Sequence, residues 1–179
     1  ELRTPGGTSR VLCFRDLCPE ETVESLREHL SAARYDMASD SVDAAPSFEF
    51  YPVSRGVWQD SFLESLLTPF IQERLIPALG SLFESESPVL SEILVRRYCP
   101  GERRSHGVHY DGHAYATAVL QISALDDFRG GLYLQPEANV ESRRVCMLSP
   151  GDVVLHSFDL QHGVDVFEGT RYSVIFWFK

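Results

Sequence analysis

The spacing of apolar residues along the chain changes character about halfway. In the first half it repeats mostly at helical intervals. Residues 1–10, with Pro5-Gly6-Gly7, read as a loose lead-in, and Val11-Leu12-Cys13-Phe14 as a short strand. Cys18-Pro19-Glu20-Glu21 opens a helix with acids in its first turn. Val23, Leu26 and Leu30 recur along one face, and the helix is predicted to run to about Tyr35. Residues 36–47, small and polar with Pro46, read as a loop, and Phe48-Glu49-Phe50-Tyr51 as a strand. From Trp58 to Phe83 the pattern is helical again, with Phe62, Leu66, Phe70, Leu75 and Leu79 on one side. Pro69 and Pro77 interrupt it, which predicts two helices or a kinked one.

After Ser87-Pro88 the apolar residues gather into short β-type runs at 93–98, 115–123, 131–135, 143–148, 152–156, 163–167 and 171–178, separated by Gly and Pro turns. This is the pattern of an antiparallel sandwich or barrel. The expectation is an α+β, mainly β chain forming one domain over 1–179. Residues 1–87 are read as mostly helical support packed outside a sheet, and 88–179 as the β core.

Composition narrows the partners. Lys and Arg total 16 against 26 Asp and Glu, a net charge of −10, so the chain has no general electrostatic reason to bind nucleic acid. Arg96, Arg97, Arg103 and Arg104 form a local basic cluster, read as a solvated rim. Cys13, Cys18, Cys99 and Cys146 match no zinc spacing and are too few for a disulfide scaffold. Free thiols are expected, with a Cys13–Cys18 bridge left open. No apolar run reaches membrane-spanning length and no signal peptide is visible. The chain begins at Glu1, which is read as a trimmed piece or a domain of something longer.

The chemistry centres on Val108-His109-Tyr110-Asp111-Gly112 and Leu160-Gln161-His162-Gly163-Val164. In an extended segment residues i and i+2 share a face, so His109 and Asp111 are able to offer an imidazole and a carboxylate to one point. His162 from a distant strand completes two histidines and a carboxylate, the set suited to a non-haem Fe(II) that leaves open positions for oxygen. Nine residues after His162 comes Arg171, whose planar fork suits the far carboxylate of a dicarboxylate cosubstrate. Ser173 lies on the same face. Alternation places Arg171, Ser173, Ile175 and Trp177 together, and Thr117, Val119 and Gln121 together on the strand Tyr115–Ser123. His156 is the rival third ligand. It sits 15 residues before Arg171 and lacks the following Gly-Val, so it is set aside as a core or rim histidine. His106 is expected on an exposed loop; His113 is left open.

These segments, with Arg97-Tyr98, Asp127-Phe128-Arg129-Gly130-Gly131-Leu132, Pro150-Gly151-Asp152, His162-Gly163-Val164 and Arg171-Tyr172-Ser173, resemble the 2-oxoglutarate and Fe(II)-dependent oxygenases, in the branch of the prolyl and lysyl hydroxylases. The resemblance runs from about Ile93 to Phe178. It implies a double-stranded β-helix, or jelly roll, backed by helices. It also implies metal ligation by His109, Asp111 and His162, and cosubstrate binding by Arg171 and Ser173. Tyr98 matches a family tyrosine whose hydroxyl contacts 2-oxoglutarate. Thr117 and Gln121 become cosubstrate neighbours if their face points inward, although some prolyl hydroxylases carry a tyrosine at the position of Gln121. Gly130-Gly131 is read as a turn.

The implied activity is hydroxylation coupled to conversion of 2-oxoglutarate to succinate, using Fe(II) and O2, with ascorbate as an accessory reductant. A protein or peptide side chain is the first-choice substrate and a free amino acid or other small metabolite the second. A non-catalytic jelly-roll binding module is the alternative of another class.

Overall fold

Side-chain alternation along the central strands decides which residues meet the helices and which meet the site. The computed structural model describes residues 10–40, 42–81 and 88–179 and the backbone of Leu2–Arg3. The rest of the Pro5-Gly6-Gly7 lead-in and the end of the periodic stretch at Phe83 lie outside the described residues.

In chain order the elements are β1 (Leu2–Arg3), β2 (Arg10–Phe14), α1 (Glu20–Ala32), β3 (Asp36–Ser39), β4 (Pro46–Ser54) and β5 (Val57–Trp58). Then come α2 (Ser61–Phe70), a π-helical turn (Ile71–Leu75), α3 (Ile76–Gly80), β6 (Leu90–Tyr98) and β7 (Ser105–His109). The chain closes with β8 (Ala116–Gln121), β9 (Phe128–Leu134), β10 (Arg144–Val145), β11 (Val153–Ser157), β12 (His162–Gly169) and β13 (Arg171–Phe178). The larger sheet runs β1-β2-β11-β8-β13-β6-β4-β3, with β5 on β4; the smaller runs β10-β9-β12-β7. Every pairing described is antiparallel. This mainly β architecture is consistent with a double-stranded β-helix.

One face of the larger sheet packs on the helices. Ile93 and Val95 of β6, Ala116, Ala118 and Leu120 of β8, Val153 and Leu155 of β11, and Val174, Phe176 and Phe178 of β13 join the buried residues of α1 and α2 in one cluster. The alternate residues Tyr98, Val119 and Val154 face the smaller sheet and pack with Leu132, Leu134, Val164 and Val166.

Helix α1 begins after Pro19, carries Glu20 and Glu21 in its first turn and buries Val23, Leu26 and Leu30. It stops at Ala32, short of the predicted Tyr35. Asp60 caps α2, its carboxylate accepting from the Leu63 amide at 2.9 Å. The buried stripe there is Leu63, Leu67 and Phe70: Phe70 is buried as predicted, while the first two positions fall one residue later than Phe62 and Leu66. Phe62 is instead half exposed and stacks on His29 at 4.6 Å. Pro69 and Pro77 flank the π-helical turn, whose wider winding resets the phase so that Leu75 and Leu79 stay buried.

Three further expectations change. Residues 36–39 are an edge strand, its small polar residues pairing with β4 from Asp36↔Glu49 to Ser39↔Pro46; an edge strand needs no apolar face. Among the described residues, 1–87 is not mostly helical, since β2 and β4 are built into the larger sheet and Trp58 lies in β5. Gly130-Gly131 is not a turn but lies inside β9, with φ of +94° and +128°. A Cβ at Gly130 would stand 2.1 Å from the Asp165 carbonyl oxygen of β12, so only glycine allows that strand contact. The four cysteines are free. No helix among the described residues is long and apolar enough to cross a membrane.

Candidate functional site

Strand pairing brings the two histidines face to face. In the β7–β12 ladder the partner of His109 is His162, and the register slips just beyond, between His162 and Val164. The rings lie 4.3 Å apart between centroids. Asp111 follows the end of β7, with Oδ1 3.5 Å from His109 Nε2 and Oδ2 3.6 Å from His162 Nε2. One donor atom from each of the three lies within 4.8 Å of the others. Nitrogen and oxygen ligands about 2 Å from a shared metal at right angles stand roughly 3 Å apart, so the group is near metal-binding dimensions.

Hydrogen bonds prepare these atoms. His109 Nδ1 lies 2.8 Å from the Gly107 carbonyl oxygen and His162 Nδ1 3.1 Å from that of Leu160. Each contact requires a proton on Nδ1, which leaves Nε2 as the lone pair turned toward Asp111. Asp111 Oδ2 accepts from the Thr117 hydroxyl at 2.6 Å and the Trp177 indole N–H at 3.1 Å. Burial alone would raise the Asp111 carboxyl. The neighbouring His109, His162 and His156 rings and the Thr117 hydroxyl outweigh it and hold the group well below the usual carboxylate range. Burial, then the neighbouring His156, depress His162 to about 3. The site therefore offers one anion and a neutral imidazole at neutral pH, the forms a metal requires.

Arg171 stands opposite Tyr98 in the β6–β13 ladder and is 1% exposed. Its Nε donates to Gln121 Oε1 at 3.1 Å and its Nη1 to Ser173 Oγ at 3.2 Å, while Nη2 is buried without a hydrogen-bond partner. Gln121 is oriented by its own Nε2, which donates to the Ser123 carbonyl at 2.7 Å. No carboxylate pairs with Arg171 among the described residues. Burial lowers its pKa, yet a guanidinium stays charged, and an unpaired buried charge is costly. Its environment is complete only with an anion.

One cavity of about 530 Å³ joins these parts, with His109, Asp111, His162, Tyr98, Arg171 and Ser173 on its wall. That volume lies in the range of small-molecule sites. Ile175 and Trp177 complete the predicted face of β13. Thr117 and Gln121 are not on the wall. Both point to that side of the sheet, but Thr117 is spent on Asp111 and Gln121 on Arg171, so they support the site from behind.

Sequence reasoning missed several neighbours. His106 is not on an exposed loop: it lies in β7, 5% exposed, with Nδ1 3.1 Å from Arg96 Nη1. Arg96 is no solvated rim either, since Glu49 Oε2 and Asp40 Oδ2 bind its Nη2 at 2.5 and 2.9 Å. Arg97 pairs with Glu102 and Arg103 with Asp43, so the basic cluster is largely neutralised. The alternation of β6, which puts Arg96 beside Tyr98's face, was the available signal. His156 is fully buried, its ring 4.3 Å from that of His162, but it lies outside the three-residue group. His113 lies edge-on to Trp177 at 4.7 Å.

No family model matches the sequence, and no curated protein matches it. Solved structures do match the fold. An oxidoreductase of the 2OG-Fe(II) oxygenase family from Burkholderia pseudomallei is similar at a TM-score of 0.74 and 16% identity, over 99% of this chain and 93% of that one. A prolyl-4-hydroxylase from Pseudomonas putida is similar at 0.69 and 18%, over 96% and 94%. The epimerase SnoN from nogalamycin biosynthesis, solved with Fe3+, alpha ketoglutarate and nogalamycin RO, is similar at 0.68 and 14%, over 94% and 78%. At these identities the likeness establishes the fold.

Proposed function

We propose that residues 1–179 form one catalytic domain, an Fe(II)- and 2-oxoglutarate-dependent dioxygenase that hydroxylates a protein or peptide side chain. The observation that carries the reading is a buried, uncompensated Arg171 on the wall of the same cavity as the His109, Asp111 and His162 group. A metal site alone has many uses. A metal site beside an arginine that lacks an anion fits a chelating dicarboxylate.

The residues present fit both groups. His109 Nε2, His162 Nε2 and an Asp111 oxygen would hold Fe(II), and the orphaned Arg171 Nη2, with Ser173 and Tyr98 beside it, would hold the distal carboxylate of 2-oxoglutarate. Iron with 2-oxoglutarate supplies the oxidation: O2 is consumed, 2-oxoglutarate yields succinate and CO2, and a substrate C–H bond becomes C–OH. Ascorbate is assigned as the reductant that keeps the iron ferrous. The protein's residues orient and shield. Gly107 and Leu160 carbonyls fix the imidazole tautomers, Thr117 and Trp177 fix the carboxylate, and Gln121 aims the guanidinium. Val119, Leu132 and Val164 on the cavity wall keep water from that end.

Both hydroxylases and small-molecule enzymes are among the proteins of this fold, so hydroxylation of a free amino acid or other metabolite is the second reading. The test of the reaction class is succinate formation in wild type and in Asp111→Ala. The variant should lose all turnover. Undiminished turnover would remove the metal assignment.

A further inference from the structure

The cavity extends beyond the metal-ligand group to an end that cosubstrate binding does not use. Trp177 forms its inner wall, reaching Asp111 with its indole N–H. The Tyr51 ring lies 6.5 Å from the Trp177 ring, tilted by 32°, and His113 meets Trp177 edge-on. The β4–β6 ladder explains how Tyr51 arrives there: its register slips between Phe50 and Val53, which turns Tyr51 toward the cavity. Glu92 is the cross-strand partner of Trp177 in the β6–β13 ladder and lines the same wall.

The charges at this end do not balance. Asp40 and Glu49 are both engaged by Arg96. Arg171 lies at the cosubstrate end. Glu92 has no hydrogen bond or ion pair among the described residues. An unpaired carboxylate beside two electron-rich aromatic faces is an environment for a cation, because the ring quadrupoles and the carboxylate attract the same sign. The net charge of −10 adds long-range attraction. A neutral apolar group would fill the aromatic wall but leave Glu92 without a counter-charge.

We propose that the Tyr51, Glu92, Trp177 end of the cavity receives a positively charged group of the substrate, an amine or the tip of a basic side chain. The assignment deepens the dioxygenase reading by naming the substrate class. It rests on that reading for the claim that the bound group is the one oxidised; the binding itself does not depend on it.

Calorimetric titration of the whole chain, with and without Fe(II) and 2-oxoglutarate under argon, tests this with two probes of similar length: Nα-acetyl-lysine methylamide and Nα-acetyl-norleucine methylamide. The lysine probe should bind about tenfold more tightly. In Glu92→Gln the preference should fall to about threefold or less. Tyr51→Leu, at a partly exposed position that tolerates change, should weaken the lysine probe more than the norleucine probe. Equal affinities, tighter norleucine binding, no binding of either probe, or a preference that survives both substitutions would overturn the proposal. Preferential lysine binding by a protein that takes up neither iron nor 2-oxoglutarate would overturn the dioxygenase reading and leave the cation site standing. Iron and 2-oxoglutarate uptake without a charge preference would do the reverse.

Discussion

The two faces of the larger sheet are built from the same strands and obey opposite rules. On β13 the residues Val174, Phe176 and Phe178 turn toward the helices, and Arg171, Ser173 and Trp177 toward the cavity. On β8 the split is Ala116, Ala118 and Leu120 against Thr117 and Gln121; on β6 it is Ile93 and Val95 against Arg96 and Tyr98. The helix face is apolar and fully packed, which is what stabilises a fold. The cavity face buries polar and charged groups whose partners are only partly supplied by the protein, which costs stability and makes sense where a ligand completes the set. One strand thus divides its residues between packing the core and lining the cavity, because period-2 alternation keeps the two sets on opposite faces of the sheet.

Substitutions that strike one face should leave the other recognisable. The largest effect is expected at Phe176, fully buried and edge-on to Phe70 at 6.0 Å. Phe176→Ala should cost about 3–5 kcal/mol of unfolding free energy in denaturant melts, with 2-oxoglutarate affinity of the remaining folded protein unchanged. Next comes Arg171→Met. It should weaken 2-oxoglutarate about 100-fold, roughly 2.7 kcal/mol, while the thermal midpoint stays level or rises because a buried unpaired charge is removed. A fall in the midpoint with affinity retained would show that Arg171 is structural. Trp177→Phe keeps the aromatic wall and removes the hydrogen bond to Asp111. Iron affinity measured by competition with a chelator should drop about tenfold.

The smallest effect is one of pH. Burial, then His109 and the guanidinium groups of Arg96 and Arg103, depress His106 to about 3 from 6.5, and His162 is depressed to about 3 as well. The folded protein leaves these sites unprotonated while the unfolded chain takes up protons below 6.5. Stability is therefore complete above that pH and declines as pH falls from 6.5 toward 3. The thermal midpoint of metal-free protein should be lower at pH 5 than at pH 7, and less so in His106→Asn. A slope of the opposite sign would contradict the buried neutral state.

The difference between the faces also explains what the sequence made legible. The apolar residues of β6, β8, β11 and β13 gather into short runs between Gly and Pro turns, which makes the strands legible, and the alternation of side chains along a strand gives the inward set Arg171, Ser173, Ile175 and Trp177. So was the pairing of His109 with Asp111, two residues apart. What escaped depends on partners distant in sequence. Arg96 looked like a surface arginine because Glu49 and Asp40, 47 and 56 residues away, give no local sign of meeting it. The Trp177 bond to Asp111 spans 66 residues. His106 sits among Gly, Ser and Arg, a loop-like composition, and only pairing with β12 makes that segment a strand. In α2 the phase is ambiguous in the sequence because 62-66-70 and 63-67-70 are both helical spacings, and the Asp60 cap with the π-helical turn chooses between them. Alternation places Thr117 and Gln121 on the cavity side of the sheet, while their hydrogen bonds to Asp111 and Arg171 have no local sign in the sequence.

The central claim is that the cavity face of this sheet is completed by iron and a dicarboxylate together. Anaerobic Fe(II) loading followed by 2-oxoglutarate, with visible absorption recorded at each step, tests it most directly. The account predicts that a visible band develops only when both are present, in wild type and not in Asp111→Ala. Wild-type protein that retains no iron, or that binds iron and develops no absorption with 2-oxoglutarate, would contradict it.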